Sequence, residues 1–199
     1  MNPSIEASAL TAMHRHYDQL VTFPLDEWEM LRYHLTVKTV NEKYTLQPIG
    51  EKSTKNFFLV KGLVRYYYLT PEGKELNKGF YSSNHMVGSL SAAILDEPCR
   101  FGIETLEPCV LVELDLVGLR SCSERNPAWQ RLYLHSCEMM LIRNERREAE
   151  LLTMNAKQRF QQFVRNFPDY LERIPQYHIA SYLGVTPVAL SKYKKQWLE

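Results

Sequence analysis

Apolar residues recur at helical spacing at both ends of the chain, and the stretch between them alternates or clusters as strands do. Residues Ser4 to Leu20 suit a helix, with Ser4 as a cap and Ile5, Leu10 and Met13 on one side. A second helix is expected to begin near Pro24, with Leu25, Trp28, Leu31 and Leu35 as its apolar side. From Thr36 the texture changes to β-type residues: Val37, Thr39, Val40, Tyr44 and Thr45, punctuated by Pro48-Ile49-Gly50. Phe57 to Val60 and Leu63 to Leu69 read as strong strands around a turn at Lys61-Gly62. Pro71-Glu72-Gly73 forms a hairpin loop, and Lys74 to Phe80 returns. A turn at Ser83 to His85 leads into Met86-Val87-Gly88, and two further strands, Phe101 to Thr105 and Val110 to Leu114, flank Glu107-Pro108. Short strands at this spacing predict an antiparallel roll or barrel.

Asp115 is a candidate cap for a short helix through Leu119. A long helix then starts near Asn126 and Pro127 and runs to about Met154. Its inward residues are read as Trp129, Leu132, Tyr133, Met140 and Leu151, while Leu134, Leu141 and Ile142 widen the apolar surface. That width exceeds what one roll needs. It predicts a second contact, most simply the same helix of another subunit, unless the roll covers both faces. Arg143 to Glu150, mixed in sign, reads as a solvated face with local ion pairs. Asn155 caps a further helix carrying Phe160, Phe163 and Val164, which Phe167-Pro168 ends.

The last stretch, Ile174 to Trp197, is the most informative. Pro175 suits a first helical turn; Ile179, Ala180 and Leu183 follow at helical spacing, and Gly184 is placed for a left-handed C-terminal cap. Thr186 and Pro187 then open a second short helix with Leu190 on its inner side. Two short helices around a glycine turn have the form of a helix-turn-helix or of a plain helical hairpin closing a domain.

Composition changes this picture little. With 199 residues, 45% hydrophobic and 24% charged, the chain is long enough for one large or two small domains. A net charge of +1 gives no general pull toward nucleic acid, so any basic surface is local, as at Lys192, Lys194 and Lys195. No apolar run reaches membrane-spanning length and no secretion signal opens the chain, which with four unpaired-looking cysteines predicts a reducing cytoplasm. His14, His16, His34, His85, His135 and His178 have no spacing that selects a metal, and no nucleophile motif or phosphate-cradling glycine loop is present, so an enzyme is not expected.

The order helix, roll, long helix, helix-turn-helix resembles the Crp/Fnr family of bacterial transcription regulators. Leu59-Val60-Lys61-Gly62, Pro71-Glu72-Gly73-Lys74-Glu75 and Val87-Gly88-Ser89-Leu90 are similar to that family's roll hairpin and the start of its phosphate-binding cassette. The short C-terminus looks like the compact regulators of Bacteroidetes-type bacteria. The resemblance implies an α+β chain: a double-stranded β-roll, or cyclic-nucleotide-binding-like jelly roll, with helices at 1–125, a dimerisation helix at 126–154 and a wingless helix-turn-helix at 155–199. It also implies ligand contacts at Gly88, Ser89, Leu90, Arg100 and Phe101. The family's cassette glutamate is Ser89 here, and its Arg-Ser pair reads Cys99-Arg100, so cAMP is not the expected effector. DNA contacts are implied at Gln176, Tyr177, Thr186, Val188, Ser191, Lys192, Lys194 and Lys195, with Pro187-Val188 standing where the family has Arg-Glu. The dimer helix would present Trp129, Tyr133, Met140 and Leu141. The implied partners are double-stranded DNA and a second copy of the chain, with RNA polymerase as a further candidate; no cofactor and no membrane are implied. The alternative is a sensor of the same fold that no longer reads DNA specifically.

Overall fold

The structure, a computed structural model, describes residues 3–115 and 126–198. Two helices, α1 (Pro3–Val21) and α2 (Leu25–Arg32), precede the strands β1 (Leu35–Val40), β2 (Thr45–Gln47), β3 (Lys55–Lys61), β4 (Leu63–Leu69), β5 (Glu75–Ser82) and β6 (His85–Val87). The short helix α3 (Leu90–Leu95) leads to β7 (Gly102–Thr105) and β8 (Cys109–Asp115). Five helices follow: α4 (Pro127–Thr153), α5 (Ala156–Asn166), α6 (Tyr170–Arg173), α7 (Gln176–Leu183) and α8 (Pro187–Leu198). The short helix expected from Asp115 to Leu119 lies outside the described residues.

The strands form two antiparallel four-stranded sheets, ordered β1-β8-β3-β6 and β2-β7-β4-β5. Lys61-Gly62 does not close a hairpin: β3 and β4 belong to different sheets, and the chain changes sheet at Gly62. That corner requires glycine. Its φ is +118°, and a Cβ would stand 2.4 Å from the Cys109 Sγ.

Alternation along each strand sends side chains to opposite faces and so produces three cores. Phe57, Leu59, Val64, Tyr66, Ile103 and Leu111 fill the space between the sheets. Phe58 and Val112, on the outer face of the first sheet, pack against α1, α2 and the start of α4. Leu63 and Phe80, on the outer face of the second, pack against α5 to α8. The roll therefore sits between an N-terminal helical cover and a C-terminal helical head.

Local signals decide the helix ends. Asn126 Oδ1 accepts from the Trp129 N–H at 2.8 Å. Asn155 and Gln158 cap each other's backbone in a reciprocal box. Gly184 adopts φ 66° at the end of α7 and Thr186 Oγ1 accepts from the Ala189 N–H at 3.2 Å, so both turn signals act as read. Ile5 and Leu25, read as inward, are exposed; Tyr17 takes the buried place on α1.

On α4 the self-packed residues are Ala128, Trp129 and Leu132, all near its start. Trp129, read as a dimer-helix residue, is instead core of its own protomer, because α1 and α2 already cover the first turns. Tyr133, Met140, Leu141 and Leu151 are exposed. Arg143 and Arg147, read as solvated, reach back to the Phe80 and Tyr182 carbonyls of their own chain.

Candidate ligand and nucleic-acid sites

A glycine within a strand pattern often marks a bulge, and β5 has one beside Gly79. Tyr66 pairs with Gly79 and Tyr67 with Asn77, leaving Lys78 without an opposite number. The bulge shifts the alternation by one residue, so Asn77 shares the outer face with Phe80 while Lys78 shares the inner face with Tyr81.

Lys78 turns inward. Its Nζ lies 5.9 Å from the Tyr66 ring centroid and 5.3 Å from that of Phe101. Those two rings stack at 4.9 Å, and Tyr81 adds a third at 4.4 Å from Tyr66. From α4, the Arg143 guanidinium stands 3.8 Å over Tyr81 and donates to the Phe80 carbonyl at 2.7 Å. Burial, and then the nearby Arg143, hold the Lys78 ammonium below the usual lysine range.

The cassette residues do not converge. The Gly88 N–H donates to Tyr66 Oη at 2.7 Å, and Phe101 stacks on the same tyrosine, so these two meet at Tyr66. Ser89 is buried and its hydroxyl caps α3, accepting from the Ala92 N–H at 3.3 Å; Leu90 begins that helix. Arg100 points to solvent, its side chain 77% exposed and 3.4 Å from Glu97. Its shift of one residue puts it on the outside, away from Ser89. The Gln47 amide and the Asn56 Oδ1 are buried with no hydrogen-bond partner among the described residues.

Asn77 turns outward and grips the head. Its N–H donates to Ser181 Oγ at 3.0 Å, and its Nδ2 lies 3.1 Å from both the Nδ1 and the carbonyl oxygen of His178. Arg65 fixes the amide orientation by donating to Asn77 Oδ1 at 3.3 Å. Arg65 is itself buried, bonded to Glu75 at 2.6 Å and Glu104 at 2.8 Å. Burial, and then the charge of Arg65, push the His178 pKa down to about 4. The imidazole is therefore neutral at ordinary pH and accepts at Nδ1.

On α8, Leu190 is buried while Val188, Ser191, Lys192 and Lys195 share the exposed face, at helical spacing. Val188 is 80% exposed. Lys194 is half-buried and about a third of a turn away from the centre of that face. Ser191 Oγ donates to the Pro187 carbonyl at 3.0 Å and to Gln176 Oε1 at 3.4 Å, which joins the starts of the two helices. Gln176, Tyr177 and Thr186 are exposed beside it, and no acidic side chain occurs from Ile174 to Leu198.

Burial, and then His85 and His135, depress the His16 pKa, so α1, β6 and α4 bring three histidines together that sequence spacing did not associate. No group of His, Cys, Asp or Glu among the described residues is arranged to hold a metal ion. Cys99, Cys109 and Cys137 are free thiols, and Cys122 lies outside the described residues. Among those residues no helix is long and apolar enough to cross a membrane.

Residues 38–126 match the family model of the cyclic nucleotide-binding domain. The roll has the fold of a cyclic nucleotide-binding domain. FixK2 from Bradyrhizobium japonicum superposes with a TM-score of 0.71 at 17% identity, over 81% of this chain and 83% of that one. The c-di-GMP responsive global regulator CLP of Xanthomonas campestris gives 0.71 at 15% identity, over 88% and 92%. A CooA variant from Carboxydothermus hydrogenoformans gives 0.65 at 15% identity, over 85% and 78%. No curated protein matches the chain. These overlaps exceed the length of the roll, so the likeness in fold includes helices outside it.

Lys78, Arg143, Asn77 and Arg65 were not singled out by sequence. Lys78-Gly79 inside a strand was the available signal for the bulge. Nothing local marks Arg143, whose partners are more than sixty residues away.

Proposed function

We propose that this chain is a homodimeric, DNA-binding transcription regulator whose cyclic nucleotide-binding-type roll senses a small molecule other than cAMP. The observation that carries the reading is the docked head: an acid-free helix pair with one lysine-bearing face turned outward, held to the roll through Asn77. The α7–α8 pair has the helix-turn-helix form, with α8 as the helix that enters a major groove. Lys192 and Lys195 would meet phosphates or guanine, and Val188 a thymine methyl. CLP, of the same fold, is a regulator linked to gene expression.

The dimer rests on α4. Leu134, Leu141 and Leu152 stand on its side opposite the self-packed Trp129, Leu132 and Arg143, at 59%, 59% and 77% exposure. Two such helices, pairing along this stripe, would place two recognition helices on successive half-sites. RNA polymerase is a further candidate partner of the DNA-bound dimer.

Selection from random duplexes, followed by gel shifts across a salt series, tests the reading. An enriched near-palindrome is expected. Lys192→Ala should weaken binding and reduce the salt slope by about one unit. The second reading, a sensor whose head no longer reads DNA specifically, is favoured by Val188 at the position where a base-reading carboxylate was expected. No enriched site and an unchanged salt slope in Lys192→Ala would decide for it.

A further inference from the structure

We infer that the roll binds a small oxyanion, a carboxylate or a phosphate, between Lys78 of the β5 bulge and Arg143 of α4 rather than at the α3 cassette. The inference rests on the reading of the roll as the sensing part and names the class of ligand it takes.

Two neighbouring cations share one aromatic wall. Lys78 lies against Tyr66 and Phe101, and Arg143 against Tyr81, with Tyr66 in contact with both other rings. No carboxylate among the described residues pairs with either cation. Ring faces compensate part of a cation's lost hydration, but two like charges side by side still repel each other. An anion between them removes that repulsion and gains charge-assisted hydrogen bonds.

The other face of the same sheet supplies the contrast. Arg65 pairs across the same strands and is more deeply buried, and there the fold provides both Glu75 and Glu104. Compensation is thus built in where the cation is structural and left out at Lys78 and Arg143. Gly79 lies beside the same guanidinium: a Cβ there would stand 3.4 Å from Arg143 Nη2, in close contact with it. The bulge itself serves the site, since in regular register residue 78 would project toward the head instead of the rings.

The cassette cannot take this role as it stands. The Ser89 hydroxyl is engaged in capping, and the Arg100 guanidinium is outside.

The test is a thermal-shift and calorimetric titration of the full chain at constant ionic strength. Inorganic phosphate, benzoate and cAMP are the probes, and chloride is the control. Wild type should be stabilised by phosphate or benzoate beyond the chloride control, and which of the two acts separates a free phosphate from an organic carboxylate. Lys78→Met should raise the melting temperature of the unliganded chain, by relieving the repulsion, and weaken the anion at least about tenfold. Arg143→Gln should weaken it likewise. Equal anion response in wild type and both variants, or no response of wild type beyond chloride, overturns the inference. A response lost in Arg100→Gln but kept in Lys78→Met returns the site to the cassette and overturns it too. Gel shifts on the same samples report separately on DNA binding, so a chain that binds an anion but no DNA sinks only the regulator reading.

Discussion

Asn77 and His178 are 101 residues apart in sequence, yet the Asn77 Nδ2 lies 3.1 Å from both the ring Nδ1 and the main-chain oxygen of His178. The Asn77 amide is one of the bonds that join the roll to the helical head, and its neighbour Lys78 lies against the rings inside the roll.

Asn77→Ala removes that amide and leaves the His178 carbonyl and Arg65 each short of a partner in a buried setting. The expected loss is about 1–3 kcal/mol, confined to head docking. Hydrogen exchange should show faster exchange in α7 and α8 with the two sheets unchanged. Uniform slowing or speeding over the whole chain would contradict a local latch.

Acid should undock the head. In the folded chain His178 stays neutral down to about pH 4, because it is buried and faces Arg65, whereas an unfolded histidine titrates near 6.5. Between these values the unfolded or undocked chain takes up a proton that the docked one excludes. The His178 contribution is thus complete above about pH 6.5 and is lost as the pH falls toward 4. A protonated Nδ1 would also meet the Asn77 N–H donor head on. Melting temperatures across this range should fall in wild type and fall less in His178→Gln.

Leu141→Glu places a charge in the middle of the exposed stripe on α4. Without a partner this surface change should alter stability by less than about 0.5 kcal/mol. In a dimer it should shift sedimentation toward a single protomer. An unchanged sedimentation coefficient in both Leu134→Glu and Leu141→Glu would remove α4 as the interface.

Gly62→Ala combines a left-handed φ with a Cβ that meets the Cys109 side chain and backbone. A loss of roughly 2–4 kcal/mol is expected from strain and overpacking together. Urea unfolding should show a lower midpoint. The double variant Gly62→Ala/Cys109→Ala should recover only the part due to the Sγ clash, since the Cys109 Cα and Cβ stay at 3.0 Å.

Features set within a few residues were legible before any coordinates. The caps at Asn155 and Thr186, the turn at Gly184 and the helix start near Asn126 are short-range chemistry, and each acts where it was read. An antiparallel roll or barrel between helical ends followed from alternation and punctuation, which are properties of segments, and the resemblance narrowed it to the roll. Burial was less legible on α4, since an apolar helix face does not say whether its own chain or another covers it. Trp129 went to the protomer core because α1 and α2 lie over it, while Leu141 did not.

By itself, then, the sequence determined the kind and order of the elements and the lysine-bearing form of the last helix pair. Propensity, capping and periodicity act over a few residues and need no fold to operate. Tertiary structure alone decided which cations are compensated and which are not. Arg65, Lys78 and Arg143 are alike as sequence positions, and only the folding of the sheets and α4 brings Glu75 and Glu104 to the first and aromatic rings to the other two. A charge's partner is set by distance in space, and for Arg143 that distance closes across 63 residues.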